Sequence, residues 1–289
     1  MTRTRPGRIA LQLVVPVALV ALWWWTSAGS TSVFYPPLSR IVTSLKDDWL
    51  FEQVGSDLVP SLTRFTLGYL GAVVIGVGVG TLIGLAPRVR RASLPVVEFL
   101  RSIPPPLMIP FVLVVFGIGD GSKVVLIVLG AVWPVLLSTI DGVRGVDPLQ
   151  LDMARGFGLR RRDRITRVVL PAASPKIVAG MRTALSIGLI LMIISEMVAS
   201  TNGLGFRVLN AQRTFDSAGT YAGVIVIGVV GLVVNLGFVA AESRIMRWHR
   251  GSRGLLEDAA GRPAGEAATT AGAPVAVADV TFMQGGDRA

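Results

Sequence analysis

Apolar positions in this chain run together in long, nearly uncharged blocks. Six segments are candidates for the roughly 20 apolar residues that a helix needs to cross a bilayer: 9–28, 65–86, 102–119, 124–140, 177–200 and 217–241. Only the fifth carries charge, Arg182 near its start and Glu196 near its end. Soluble core helices rarely stay uncharged for so long, so the pattern predicts an all-α, polytopic membrane protein of about six spans. The third and fourth blocks are short, contain proline and are separated only by a small turn at 120–123.

The polar stretches between the blocks are unequal. Arg3, Arg5 and Arg8 precede the first block, and Arg88, Arg90, Arg91 and Arg101 follow the second. Arg144, Arg155, Arg160, Arg161, Arg162, Arg164, Arg167 and Lys176 follow the fourth, and Arg244, Arg247, Arg250 and Arg253 follow the sixth. The alternate loops hold few basic residues and also Asp47, Asp48, Glu52, Asp57, Asp120 and Asp216. Lys and Arg collect on the cytoplasmic side of a membrane, which predicts a multi-pass plasma-membrane protein with both termini cytoplasmic. The net charge of +10 then reports topology and contact with membrane lipid, not nucleic-acid binding. The basic start of the first block and the small residues Ser27, Ala28 and Gly29 after it fit either a signal peptide or a retained span, and its apolar stretch is longer than is usual for a signal peptide. It ends in Trp23, Trp24 and Trp25, where an interfacial aromatic belt would sit.

Composition narrows the chemistry. Charged residues make up 16% of the 289, against about a quarter in a soluble domain. There is no cysteine and one histidine, His249, which argues against a thiolate or histidine-rich metal site, a cysteine nucleophile and a His-based triad. No phosphate-binding G-x-x-x-x-G-K-[ST] or G-x-G-x-x-G motif occurs, so no cofactor is expected and any ATP hydrolysis belongs to a separate chain. The tail from about 251 is rich in Ala and Gly without apolar period, a composition expected to be disordered.

Within the blocks, Ala72, Gly76, Gly80 and Gly84 recur every four residues. Such a small-residue stripe lets helix backbones approach closely in lipid, within this chain or at a subunit interface. Pro104, Pro105, Pro106 and Pro110 crowd the start of the third block, giving either a simple helix start or a bent helix beside a translocation path. Glu196 and Asn235 are polar residues inside apolar blocks, candidates either for that path or for interhelical hydrogen bonding.

The cytoplasmic stretch 145–175 is the most informative. Asp147 is a good N-cap and Pro148 a good first helical residue. Leu149, Met153 and Phe157 then recur every four residues, and Gly158 can end the helix. A strongly basic helical stretch follows over 160–169, and Pro171 and Pro175 punctuate the start of the fifth block. The apolar stripe of the first helix must be covered by the protein's own spans or by a partner.

This stretch resembles the EAA loop of ABC importer permeases, whose pattern is Glu-Ala-Ala, three residues, Gly, nine residues, Ile, one residue, Leu-Pro. Asp152, Met153 and Ala154 stand at the triplet, Gly158 at the glycine, Val168 at the isoleucine, and Leu170 and Pro171 close the pattern. Asp replaces Glu, Met replaces Ala and Val replaces Ile, while every spacing is kept. The segments 100–105 and 116–123, with Glu196-Met197 and Gly203-Leu204-Gly205, resemble the nitrate/sulfonate/taurine-type branch. The resemblance covers roughly 55–245. It implies a type I ABC importer permease-like (MetI-like) core and docking of the loop in a groove of the ATPase. It also implies two ATPase copies, a second permease chain, expected to be identical, and an extracytoplasmic solute-binding protein that delivers the substrate.

These readings divide the chain into 1–64 (cytoplasmic start, first span and outer loop), a permease core over 65–245 with its coupling loop at 141–175, and a tail over 246–289. The alternatives are a secondary transporter or channel without an ATPase, or an integral membrane enzyme. The first usually shows internal repeats and midplane charges, and the second needs a catalytic cluster at one membrane face. Neither feature stands out here.

Overall fold

The computed structural model describes residues 6–49 and 54–246. Expectations placed on Arg3, Arg5, Glu52, Arg247, His249, Arg250, Arg253 and the tail lie outside the described residues. The chain forms two compact units, Met1–Ala240 and Ala241–Ala289. Of the second, the described residues only complete the last helix.

Every regular element among the described residues is helical. Helix α1 (Pro6–Ser27) is followed by the short helix α2 (Leu38–Ser44) and then by α3 (Val59–Leu85). Helices α4 (Pro87–Arg101) and α5 (Ile109–Phe116) come next, then α6 (Asp120–Arg144) and α7 (Pro148–Gly156). A short α8 (Arg161–Arg164) precedes α9 (Leu170–Val198), and α10 (Leu204–Arg213) and α11 (Ser217–Ile245) complete the order.

The small-residue stripe explains how α3 packs. A Cβ on Gly68, Gly76, Gly80 or Gly84 would stand 2.6–2.8 Å from Ile127, Val135, Thr139 or Val143 of α6. Both sets of numbers rise together in steps of four, so α3 and α6 run parallel, small ridge against branched ridge. Ala72 and Ala131, both fully buried, fall at the matching step. The stripe therefore serves packing within this chain. Close approach without side chains on one helix gains dispersion contact where no hydrophobic effect drives association. Helix α9 packs antiparallel on the other side of α6, with Gly142 against Ala173 and Gly180 against Ser138.

The expected third span is not a continuous helix. The chain breaks at 102–104, resumes as a 3₁₀ turn (Pro105–Met108) and reaches Phe116 through the eight-residue α5. The axis bends by 84° between α4 and the Pro105–Phe116 segment. Pro104, Pro105, Pro106 and Pro110 withhold the N–H groups that a straight helix would need, and Gly117 ends α5 at φ +76°. Among the described residues, four helices are thus long and apolar enough to cross a membrane, or five if the bent pair counts as one span, and Val14–Ser27 of α1 is a shorter apolar helix. The expected turn at 120–123 is also absent: Asp120 opens α6 and Lys123 lies in its first turn.

A second correction concerns the basic stretch. The helix from Arg161 to Val198 is continuous over 38 residues. Pro171 offers no N–H to the carbonyl of Arg167, and the helix passes this point through a π-turn over Ile165–Val169. The prolines reshape the helix without breaking it.

Candidate functional site: the coupling helix and a buried charge cluster

Helix α7 is fixed at both ends by its own sequence. The Asp147 carboxylate accepts the Leu149 N–H at 2.9 Å, which satisfies an otherwise orphan amide. At the other end Gly158 takes φ +69°. The Gly158 N–H then reaches the Arg155 carbonyl at 2.9 Å, and the Leu159 N–H reaches the Ala154 carbonyl at 3.1 Å. This is the Schellman arrangement, for which glycine is the preferred residue. Asp152 is exposed and pairs with Arg155 at 2.6 Å.

The two sides of α7 have different surroundings. Ala154 is buried, and Leu151 packs with Leu170 against Val143, Val146, Val169 and Ala173. Val168 and Pro171 are half-buried beside them in sequence. Leu149, Met153 and Phe157 face away and are exposed, Phe157 by 83%. The apolar stripe is therefore not covered by the protein's own spans.

At the opposite end of the bundle the polarity is inverted. Glu196 of α9 has no exposed surface. Its carboxylate accepts the Ser61 hydroxyl at 2.7 and 2.8 Å, the Arg64 guanidinium at 2.8 Å and the Gly205 N–H at 3.1 Å. Arg64 reaches onward to Asp120 at 2.8 Å and to the side chain of Asn202. Lys123 lies 3.5 Å from Asp120 and donates to Ser200 at 2.9 Å. Arg64 stands between the enclosed Glu196 and the largely exposed Asp120, so the buried carboxylate has a cation beside it, which is how charge is tolerated away from water.

The same cluster caps α10. The N–H groups of Gly203, Leu204 and Gly205 donate to Asp57 (2.7 Å), Ser61 (2.9 Å) and Glu196. A Cβ on Gly203 would lie 2.5 Å from the Glu196 carboxyl carbon, and one on Gly205 would lie 2.3 Å from the Ile193 carbonyl oxygen. The Gly203-Leu204-Gly205 motif is thus the backbone that fits around a buried carboxylate.

The structure does not join the remaining candidates to this cluster. Asn235 is exposed on α11, and Pro105 is half-buried near Gly130 of α6. Sequence reasoning singled out Glu196 but missed Asp57, Ser61, Arg64, Asp120, Lys123 and Asn202. One signal was present: Asp57, Ser61 and Arg64 are spaced four and three apart, on one helical face leading into an apolar block.

A capped helix with the spacing of the EAA loop, on a bundle of parallel and antiparallel spans, agrees with a family match over residues 72–247, described as the inner membrane component of binding-protein-dependent transport systems. The chain belongs to this family. It is 31% identical to the taurine transport system permease protein TauC of Escherichia coli (strain K12), over 84% of this chain and 90% of that one. It is 35% identical to the bicarbonate transport system permease protein CmpB of Synechococcus elongatus (strain ATCC 33912 / PCC 7942 / FACHB-805), over 75% and 74%. A chain of the MetNI methionine ABC transporter in an inward-facing conformation matches its fold with a TM-score of 0.55 at 21% identity, over 66% of this chain and 93% of that one. The chain is thus an inner-membrane permease subunit of an ABC importer, in the taurine/sulfonate/nitrate branch. It is a transport component without catalysis of its own, and it works with an ATPase and a binding protein. That membership decides against the secondary transporter and the membrane enzyme.

Proposed function

We propose that α7 is the element through which the ATPase drives this permease. We further propose that the transported solute is a small oxyanion-bearing molecule, and that two identical permease chains work with two ATPase chains. The observation that carries the coupling assignment is the exposed stripe Leu149–Met153–Phe157 on a helix capped at both ends and buried on its other side. Such a helix presents three apolar side chains in fixed geometry, which suits insertion into a cleft of a partner. Positive charge concentrated on the same side supports a cytoplasmic location for α7 and for both termini. The permease core is assigned to 65–245.

Within that core, the exposed Phe111, Val114 and Ile118 on and just after α5 supply an apolar face for the second chain. Pro105, which bends the chain there, belongs beside the path. Glu196, with no exposed surface, holds the outer ends of the helices together instead of lining the path. The oxyanion assignment rests on relatives named for taurine and bicarbonate, and the ligand of the cognate binding protein tests it directly.

Phe157→Ala tests coupling. Truncating a buried apolar anchor costs about 2 kcal/mol or more, roughly thirty-fold in affinity. The expected result is weakened ATPase pull-down and reduced uptake per folded permease, with normal membrane insertion. Normal ATPase association together with normal uptake would remove the coupling role from α7.

A further inference from the structure

Behind the coupling helix lies a cleft that the coupling role does not use. It has a volume of about 260 Å³ and is lined by Leu85, Leu151, Ile165 and Val169 together with Arg155, Arg161 and Arg164. Leu85 is the last residue of α3, and Ile165 and Val169 lie on the π-turn that leads into α9. The cleft therefore sits where two spanning helices end.

Its orientation follows from helix geometry. Successive residues turn by about 100°, so Leu151 and Arg155 point to the side opposite Leu149, Met153 and Phe157. The cleft opens toward the membrane side of α7, and the exposed stripe faces the other way. Charge is also unbalanced there. Arg155 pairs with Asp152, but among the described residues no carboxylate lies within ion-pair distance of Arg161 or Arg164. Arg164 is half-buried. Chain-adjacent Arg88, Arg90 and Arg91 open α4 directly after Leu85.

We propose that this cleft binds an anionic membrane phospholipid, with Arg161 and Arg164 on the phosphate and the apolar wall against the glycerol and upper acyl chain. Arginine suits phosphate because its planar guanidinium donates two parallel hydrogen bonds. A headgroup at the cytoplasmic surface meets basic side chains at the depth where spans end. The inference rests on the cytoplasmic placement of α7, and it adds a function for the membrane-facing side of that helix. Bound lipid would brace α7 against the ends of α3 and α9 from behind while the stripe engages the ATPase.

The test uses the full-length permease released from membranes, with phosphatidylglycerol and phosphatidylcholine as probes and native mass spectrometry to count retained lipid. The wild type is expected to retain phosphatidylglycerol selectively. Arg161→Gln/Arg164→Gln should lower that selectivity by about thirty-fold, and each single change by about five-fold. Arg161→Lys/Arg164→Lys keeps the charge and should keep most of the selectivity, which separates lipid binding from misfolding of the glutamine variant. Equal retention by all variants overturns the proposal. So does displacement of phosphatidylglycerol by millimolar inorganic phosphate, which would make the cleft a site for soluble anions. Loss of ATPase pull-down in the glutamine variant with unchanged lipid retention overturns it as well, and leaves the coupling role of Phe157 standing. Conversely, a Phe157→Ala protein that binds the ATPase normally defeats the coupling reading, whereas lipid retention is measured on the permease alone.

Discussion

The two ends of this bundle break the same rule in opposite directions. At the end that carries the charge cluster, a carboxylate lies inside an apolar stretch and is hidden, with Glu196 enclosed by Ser61, Arg64 and the Gly205 amide. At the α7 end, apolar residues lie inside a polar loop and are open, with Phe157 the most exposed of its stripe. The difference between them is satisfaction. The charge cluster meets its own needs: the Glu196 carboxylate has a cation beside it and its hydrogen bonds close within one chain. The stripe on α7 stays open, because the helix packs on the rest of the chain through Leu151 and Ala154 on its other side. A self-satisfied anomaly holds a fold together, whereas an unsatisfied one points outward to a partner.

The largest expected effect comes from breaking the satisfied end. Arg64→Ala leaves Glu196 buried without its cation and Asp120 without its main partner. Removing one member of a buried ion pair costs about 3–5 kcal/mol. The purified permease should unfold at a clearly lower temperature. Arg64→Ala/Glu196→Ala should cost less than the two single changes added together, because the second change removes the charge that the first strands. ATPase binding per folded molecule should be unchanged, in contrast to Phe157→Ala, which should spare stability and weaken binding. Unaltered thermal stability in Arg64→Ala would mean that the outer cluster is not a fastening.

How much of this was legible in the sequence follows from how local each feature is. The α7 caps, the stripe and the glycine are set by residues within a dozen positions of each other, and all could be read from spacing. The small-residue stripe on α3 could be read too, but not its partner, since Ile127, Val135, Thr139 and Val143 show their matching period only once α6 is placed in register. The third span misled because hydropathy counts apolar residues and ignores missing N–H groups. Four prolines and Gly117 turned an apolar block into a bent pair. The charge cluster was the least legible feature. Arg64 and Glu196 are 132 residues apart, and nothing local to either names the other. The positive φ of Gly203 becomes understandable only with the Glu196 carboxylate in view.

The smallest effect sharpens the comparison from the α7 end. The Asp147 side chain contributes one hydrogen bond to the first turn of α7, accepting the backbone N–H of Leu149. Losing an N-cap costs about 1 kcal/mol, so Asp147→Ala should fray the start of the helix that carries Leu149. If the stripe works because it is presented rigidly, ATPase affinity should fall by about five-fold although no interface side chain has changed. Asparagine caps a helix about as well as aspartate, so Asp147→Asn should restore wild-type affinity. That separates capping from charge: a direct ionic contact between Asp147 and the ATPase would leave the asparagine variant as weak as the alanine one. The permease's thermal unfolding should be the same in all three proteins, because the global fold does not depend on this exposed turn. An alanine variant that binds normally would show that α7 orders only on docking, and the open end of the bundle would then be flexible before the ATPase arrives.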